Sequence, residues 1–373
     1  MPESFENQLS ELLSGKIFLT NSGKTALYLI LKAASEISPD KTEVIIPDYT
    51  CWSIPSAVVK AGLKVHPIDI EVENYGISPQ SLKEAINKNT LAVVATHLFG
   101  IPGKINEIEK TCREKNVILI DDAAQGLGAS LNDRPLGSYG DAAILSFGRG
   151  KNITTLSGGA ALIRNNSISS TLEKLYANSI NDASNTRFSD SLQLGIYKML
   201  FSRYLFWIPD ALPFLALGET IYNPGFDLVK LSQYRTSRGS IMMRKLNGLS
   251  ISRQIKAKHY NKMLSGIDGI NLARPPDNSV SVFLRFPVTL MHENIRRYII
   301  KKGHKLGISG MYPDTVSSIP DLRLHLKDDY NLCPNAKTIA EKLVTLPTHY
   351  AINSVDIEKI AGFVRDTVEK HRL

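Results

Sequence analysis

One lysine and one pair of aspartates stand at the ends of short apolar segments in this sequence. Lys151 follows the apolar run 142–146, and Asp121 and Asp122 end the run 117–122 earlier in the chain. A lysine amine can hold an aldehyde cofactor as a Schiff base, and a carboxylate can keep a pyridine nitrogen protonated so that the ring accepts electrons. This pair of residue types indicates a pyridoxal 5′-phosphate (PLP) site.

The lysine amine must be neutral to attack a carbonyl, yet the ordinary lysine pKa of about 10.4 keeps it charged at neutral pH. An apolar or cation-rich pocket lowers that pKa. Each residue alone has a commoner explanation, because the chain carries 44 lysines and arginines and a strand-end aspartate often caps a helix. The hypothesis therefore depends on the motifs around the pair.

Four short motifs follow one another along the chain. They are H-L-F-G at 97–100, D-D-A-A-Q at 121–125, S-F-G-R-G-K at 146–151 and G-G at 158–159. In this order and spacing they resemble the motifs of the DegT/DnrJ/EryC1/StrS family of sugar aminotransferases, which are fold-type I PLP enzymes. The resemblance extends over most of the chain and is interrupted by a divergent apolar stretch at 178–233.

The resemblance implies roles for individual residues. Lys151 would hold the cofactor and move protons during the reaction, and Asp122 would pair with the pyridine nitrogen. Gln125 would hydrogen-bond the phenolic oxygen of the cofactor. Backbone N–H groups at the start of a helix suit a dianionic phosphate, so the phosphate contacts are assigned to one helix-opening segment and one strand-end hydroxyl: Gly23, Lys24, Thr25 and Ser146.

An aromatic ring is expected to stack on the cofactor, because a flat electron-poor ring favours that contact. The position that is commonly aromatic in the family holds Cys51, and Trp52 follows it. Trp52 is therefore assigned to cofactor binding, with Tyr49 as the alternative. A tryptophan packed in a core helix would give the same sequence.

Three further residues match family positions near the substrate, namely His97, Tyr312 and His349. His97 could equally be a strand-end histidine bonded inside the protein. Met311 replaces a histidine found in relatives, and the segment 237–248 lacks the asparagine with which relatives reach the phosphate of the partner subunit. No spacing of metal ligands is present, so no metal is predicted.

Strand and helix patterns alternate through the first third of the chain, and the strands are near-continuous apolar runs. This is typical of a parallel sheet covered on both faces, which binds ligands at the carboxyl ends of its strands. We predict an α/β, fold-type I PLP-dependent transferase. A large PLP-binding domain with a mostly parallel sheet would span 1–245, with the apolar insertion at 178–233, and a smaller C-terminal α/β domain would span 246–373.

Composition limits the partners and the location. The formal net charge is +8, but the basic residues are scattered rather than clustered, which argues against a nucleic-acid partner. Three cysteines make no disulfide framework and the N-terminus lacks an apolar signal core, so a cytoplasmic location is expected. The apolar segment 194–217 is too interrupted to span a bilayer. It would form a subunit interface or lid, or else contact the inner face of the membrane.

The resemblance implies an aminotransferase that converts a ketosugar, carried on a nucleotide diphosphate, to an aminosugar for polysaccharide or glycoconjugate synthesis. The amino donor implied by the resemblance is an amino acid such as glutamate, and the expected assembly is a homodimer. Two alternatives remain. One is a PLP-dependent sugar dehydratase of the same family, against which Lys151 argues because those relatives carry histidine there. The other is a non-enzymatic regulator or scaffold with a vestigial site.

Overall fold

The computed structural model describes residues 3–183 and 221–371, together with Asp190 and Gly195. A seven-stranded sheet forms its centre. The strands of this sheet are β1 (Lys16–Thr20), β2 (Glu43–Pro47), β3 (Lys64–Ile68), β4 (Thr90–Thr96), β5 (Ile118–Asp122), β8 (Ala142–Ser146) and β9 (Gly159–Ile163). Their order is β1-β9-β8-β5-β4-β2-β3. The pairs from β8 to β3 are parallel, whereas β9 runs antiparallel to both β1 and β8.

Helices connect and cover the strands of the sheet. In chain order they are α1 (Phe5–Leu13), α2 (Gly23–Ile37), α3 (Ser53–Lys60), α4 (Pro79–Ala85), α5 (Ile105–Glu114), α6 (Asn166–Asn178), α7 (Gln233–Met243), α8 (Leu246–Leu264), α9 (Glu293–Gly303), α10 (Pro334–Lys342) and α11 (Ser354–Lys370). Short 3-10 turns occupy Leu98–Gly100, His304–Leu306 and Pro320–His325.

The large sheet is buried on both faces, which explains why its strands are apolar throughout. In β4, Val93 and Ala95 belong to the core cluster that includes α1 and α5, whereas Ala92 and Val94 belong to the cluster that includes α2, α3 and α6. Successive side chains of a strand point to opposite faces, so a strand between two helical layers needs apolar residues at every position.

Two smaller sheets are also present in the described part of the chain. Their strands are β6 (Ser130–Leu131), β7 (Arg134–Pro135), β10 (Ile270–Leu272), β11 (Ser279–Val280), β12 (Arg285–Leu290) and β13 (Leu343–Pro347). The sheet β10-β12-β13 is antiparallel, and residues of α8, α9 and α11 share its core cluster. β11 pairs with β6, which joins the C-terminal part of the chain to the segment that follows β5.

Most of the predicted stretch 178–233, and nearly all of 194–217, lies outside the described residues. The interface, lid and membrane hypotheses for that stretch therefore stay predictions. The predicted domain boundary at 245/246 falls between α7 and α8 and also stays a prediction. No helix in the described part of the chain is long and apolar enough to cross a membrane.

Candidate active site

Three neighbouring strands of the large sheet end at one cavity. Ser146 ends β8, Asp122 ends β5 and His97 directly follows β4, and these strands are adjacent and parallel. The cavity encloses about 210 Å³. Its lining is drawn from these strand ends, from the starts of α2 and α3, from the loops after β2, β5 and β8, and from one tyrosine of the C-terminal part of the chain: Ser22, Gly23, Lys24, Leu27, Thr50, Cys51, Ser53, Ile54, Thr96, His97, Leu98, Asp122, Ala124, Gln125, Ile144, Ser146, Lys151 and Tyr312.

Lys151 reaches this cavity from the loop between β8 and β9. The loop is held by its own backbone, since Phe147 N–H donates to Gly158 O at 2.8 Å and Thr155 N–H donates to Phe147 O at 2.9 Å. Burial lowers the pKa of the Lys151 amine, and the neighbouring Cys51 and Asp122 oppose that shift. A lowered pKa favours the neutral amine, the form that attacks a carbonyl.

Asp122 lines the same cavity and is 7% exposed. Burial raises its carboxyl pKa to about 6, against the backbone N–H of Ala124 and the nearby Lys151, which both lower it. Ala124 N–H donates to Oδ1 at 2.9 Å, which fixes the orientation of the carboxylate. A cationic partner stabilises the charged form of a buried carboxyl group, and a protonated pyridine nitrogen is such a partner.

Asp121, unlike the adjacent Asp122, accepts hydrogen bonds from other parts of the protein. Its Oδ2 accepts hydrogen bonds from Gly137 N–H at 2.7 Å and Tyr139 N–H at 3.1 Å. Its Oδ1 lies 3.1 Å from His97 Nε2. Since Gly103 N–H donates to His97 Nδ1 at 3.1 Å, the imidazole carries its proton on Nε2 and donates to Asp121. Asp121 therefore holds the fold around the site.

His97 lines the cavity, as its predicted role near the substrate requires, but both of its ring nitrogens are already bonded inside the protein. A hydrogen bond from this ring to a sugar would have to replace one of those bonds. The geometry therefore favours the alternative that His97 is a strand-end histidine bonded inside the protein, and not a residue whose ring nitrogen contacts the substrate.

The start of α2 provides the features of a phosphate site. Ser22 Oγ caps the helix by accepting from Thr25 N–H at 3.2 Å, and Gly23 and Lys24 open the first turn beside it. First-turn N–H groups have no acceptor within the helix and can bind an anion. A Cβ atom at Gly23 would lie 3.3 Å from Ser146 Cβ, so glycine lets the helix start approach that serine.

Thr25, in contrast to its predicted role, does not line the cavity. Its hydroxyl donates to Asn21 Oδ1 at 2.7 Å and its N–H is taken by the Ser22 cap. It is fully buried. The structure gives Thr25 a part in holding the helix start, and leaves Gly23, Lys24 and Ser146 as the groups beside the cavity.

Trp52 also lies outside the cavity lining. It sits at the N-cap position of α3 and packs against the core cluster that contains α2 and α3. The adjacent Cys51 lines the cavity instead, and Tyr49 is fully buried with its ring 5.5 Å from that of Tyr312. Neither aromatic residue proposed for stacking is therefore placed at the cavity wall, because the turn before α3 directs Cys51 there.

Gln125 and Tyr312 form a hydrogen-bonded pair on one wall of the cavity. Gln125 Nε2 donates to Tyr312 Oη at 2.8 Å, and Phe99 N–H donates to Gln125 Oε1 at 2.9 Å. Burial raises the pKa of Tyr312 well above its ordinary value, so its phenol keeps its proton. Gln125 retains a second amide hydrogen and Tyr312 its hydroxyl hydrogen, and both can serve a bound molecule.

His349 does not line the cavity. Burial, together with the positive charges of Arg253, Arg285 and Lys256, lowers its pKa to about 4. Its ring lies 6.4 Å from that of Tyr350. The structure thus places this residue among the cations near the end of β13, apart from the other predicted site residues.

Sequence reasoning missed two threonines at the site. Thr50 and Thr96 line the cavity, and their buried hydroxyls find no hydrogen-bond partner among the described residues. Buried hydroxyls are nearly always bonded, so these two indicate a polar ligand in the cavity. The signal for Thr96 was its position at a strand end, and Thr50 lies in the loop where only aromatic residues were considered.

These groups fit PLP as a ligand. The cavity offers an amine of lowered pKa for an aldehyde, a buried carboxylate for a pyridine nitrogen, and a helix start with a lysine and a serine for a phosphate. No group of three or more metal-ligating side chains able to hold an ion occurs in the part of the chain that the structure describes.

Comparison with known proteins decides the family. The sequence pattern of the DegT/DnrJ/EryC1/StrS aminotransferase family matches residues 2–365. The chain belongs to this family. It is a PLP-dependent aminotransferase, and the family, fold class, cofactor and enzyme class predicted from the sequence are confirmed.

Individual relatives carry more specific names. GDP-perosamine synthase of Vibrio cholerae is 33% identical over 158 residues, which is 42% of this chain and 42% of that protein. The dTDP-4-amino-4,6-dideoxy-D-glucose transaminase of Shigella dysenteriae is 25% identical over 98% of this chain and 90% of its own. Among solved structures, Helicobacter pylori PseC, an aminotransferase involved in the biosynthesis of pseudoaminic acid, superposes with a TM-score of 0.79 at 19% identity, covering 98% and 90% of the two chains. That likeness supports the fold.

Proposed function

We propose that this aminotransferase transfers an amino group from an amino acid such as glutamate to a ketosugar carried on a nucleotide diphosphate. The product would serve polysaccharide or glycoconjugate synthesis. The observation that carries the proposal is that Lys151 and Asp122, predicted as partners from the sequence, line one cavity together with the start of α2.

The cofactor supplies an aldehyde that takes up the amino group and a ring that accepts electrons from a carbanion. Lys151 would first bind the aldehyde and then, once displaced by the donor, act as general base and acid at the substrate carbon. Burial lowers the pKa of its amine, which favours the neutral form that accepts a proton. Asp122 would hold the pyridine nitrogen in its protonated form through a charge-assisted hydrogen bond.

Other cavity residues would orient the reactants. Gly23, Lys24 and Ser146 would hold the phosphate, and Gln125 would donate its remaining amide hydrogen to the phenolic oxygen of the cofactor. The Tyr312 hydroxyl lies beside Gln125 and is free to donate to a substrate oxygen. Cys51, where relatives carry an aromatic ring, would contact the cofactor face with a small apolar group.

The nucleotide-linked substrate is supported by the names of relatives. The Vibrio and Shigella proteins are named for a GDP-linked and a dTDP-linked aminosugar. The dehydratase alternative is disfavoured by Lys151, which lies in the cavity where dehydratases of the family carry histidine. We also propose a cytoplasmic homodimer, which follows from the family resemblance and from the absence of a disulfide framework in the sequence.

A half-reaction assay tests this function. The purified holoenzyme is first treated with glutamate, which should abolish the visible absorbance of the lysine-bound cofactor. A panel of nucleotide ketosugars is then added singly to the aminated enzyme. Return of the visible band with at least one of them, with an aminosugar detected by mass spectrometry, supports the proposal. A dehydrated sugar as the product would support the dehydratase instead.

A further inference from the structure

Asn152, the residue after Lys151, is the centre of a buried hydrogen-bond network that lies outside the cavity lining. Its Nδ2 donates to Leu127 O at 3.0 Å and to Ser250 Oγ at 2.9 Å. Its Oδ1 accepts from Arg253 Nε at 3.2 Å. Asn152 is 6% exposed, so water does not compete for these bonds.

Arg253 extends this network to the C-terminal part of the chain. It lies on α8 and is 8% exposed. One terminal nitrogen donates to Leu284 O at 2.8 Å and to Thr348 Oγ1 at 2.9 Å, while Nε reaches Asn152. A single guanidinium thus joins the loop 147–158, which carries Lys151 and is called the lysine loop below, to the segments before β12 and after β13.

The network returns to the cavity at Gln125, which lines it. Leu284 N–H donates to Phe99 O at 2.6 Å, and Phe99 N–H donates to Gln125 Oε1 at 2.9 Å. Leu127, which accepts from Asn152, follows Gln125 on the same loop. The lysine loop and the loop after β5 are therefore tied together twice, once directly through Asn152 and once through Arg253.

We propose that Asn152 and Arg253 are positioning residues that fix Lys151 relative to Asp122 and Gln125, although neither lines the cavity. The two loops cannot separate without breaking several buried hydrogen bonds and leaving buried polar groups unpaired, which is unfavourable. Displacement of a reacting group by about 1 Å can slow a reaction about 100-fold. The proposal rests on the assignment of Lys151 as the cofactor-binding residue.

Three variants separate the contributions. Asn152→Ala removes every bond of the amide, whereas Asn152→Asp keeps an acceptor for Arg253 and loses the donors to Leu127 and Ser250. Arg253→Lys keeps the positive charge but loses the planar fork that reaches two segments at once. If Asn152→Ala does not fold, the two milder variants decide the question.

Arg285→Lys is the matched control. Arg285 also bonds a threonine and backbone carbonyls, with Nε donating to Thr345 Oγ1 at 2.6 Å and a terminal nitrogen donating to Gly307 O at 2.6 Å. These contacts lie within the C-terminal part of the chain and none reaches the lysine loop. The control therefore reports the loss of a comparable arginine network without a change at Lys151.

The experiment compares holoenzymes by pH titration of the visible band, by kcat and KM for the amino donor, and by thermal melting. We expect Asn152→Ala and Arg253→Lys to move the pKa of the band by about one unit. We expect kcat to fall about 10- to 100-fold, with a smaller change in KM. Arg285→Lys should lower the melting temperature and leave the pKa of the visible band unchanged.

Two results would overturn the proposal. One is a band pKa and a kcat that match wild type in both Asn152→Asp and Arg253→Lys. The other is an equal change in Arg285→Lys, which would mean that the effect is general loss of stability. The assignment of Lys151 is checked separately, because borohydride reduction of the wild-type holoenzyme must label Lys151 for the network to act as described.

Discussion

At the residue scale, the adjacent acids Asp121 and Asp122 divide two functions between them. Asp122 is the acid on the cavity wall, and Asp121 accepts from two backbone N–H groups and from His97 outside it. Adjacent residues of a strand point to opposite faces, so the pair cannot share one role. The two substitutions to asparagine should therefore have separable consequences.

Asp121→Asn should destabilise the fold more than it impairs chemistry. The amide keeps one acceptor oxygen and turns the other position into a donor, which then opposes either the backbone N–H groups or the proton on His97 Nε2. The expected loss of stability is about 1–3 kcal/mol. Chemical denaturation of the apoprotein measures this loss, and an unchanged unfolding midpoint would contradict the anchoring role.

Asp122→Asn should have the opposite profile, with near-normal stability and a kcat lowered about 100-fold or more, because an amide cannot hold the pyridine nitrogen protonated. Steady-state kinetics and denaturation of the same preparation give both quantities. Activity near that of wild type would mean that the pyridine partner is another acid, with Asp121 the first to test.

The pKa of Asp122 also predicts a pH dependence of cofactor binding. Burial raises that pKa from an ordinary value near 3.8 to about 6. The carboxylate is therefore present above pH 6 and is lost as the pH falls through 6, so the affinity of the apoprotein for PLP should weaken over that interval. Asp122→Asn should bind more weakly and lack this pH-dependent step. Titrations of cofactor fluorescence at a series of pH values measure it, and identical profiles for the two proteins would refute the assignment.

At the element scale, the start of α2 packs so closely against β9 that no side chain fits at Gly159. A Cβ atom at Gly159 would lie 2.4 Å from Gly23 N and from Ser22 C, both of which are backbone atoms. Gly159→Ala must therefore displace the helix start that forms the phosphate site. We expect a loss of stability of about 1–3 kcal/mol and weaker PLP binding.

Gly362→Ala is the control for this substitution. Gly362 lies within α11, and a Cβ atom there meets nothing within 4 Å. Replacing an unhindered helical glycine by alanine should stabilise the protein by up to about 1 kcal/mol and leave cofactor affinity unchanged. Calorimetry of both variants with and without PLP makes the comparison, and equal PLP affinities would show that β9 does not set the phosphate site.

The elements differ in how far the sequence alone could predict them. The predicted alternation of strands and helices in the first third of the chain is found in the structure, for example in the strand Glu43–Pro47 and the helix Ser53–Lys60, because apolar runs and helical periodicity are local signals. Lys151 and Asp122 could be paired because strand ends meet at one edge of a parallel sheet. The sequence could not predict that Trp52 and Thr25 lie outside the cavity lining. The backbone conformation of a few residues decides which of several adjacent side chains faces the cavity, and no local pattern reveals it. The network of Asn152 joins segments about a hundred residues apart, which no local pattern reveals.

At the scale of the whole molecule, we predict a homodimer. The described surface carries exposed isoleucines on α7 and α8, namely Ile241, Ile251 and Ile255, and a subunit interface that covers them would remove this apolar surface from water. Light scattering after gel filtration should give a mass near twice the 41.2 kDa of the chain. An active species of monomeric mass would contradict this prediction.

The central claim is that Lys151 holds the cofactor of this aminotransferase. Among the described residues, two lysines line the cavity, Lys151 and Lys24. One measurement shows which of them holds the cofactor. The holoenzyme is reduced with borohydride, digested and mapped by mass spectrometry. We predict that the pyridoxyl group is found on Lys151 and is absent from the reduced Lys151→Ala protein, which should also be inactive. A label on Lys24 or on any other lysine of the wild-type enzyme, with full turnover by Lys151→Ala, would contradict the account.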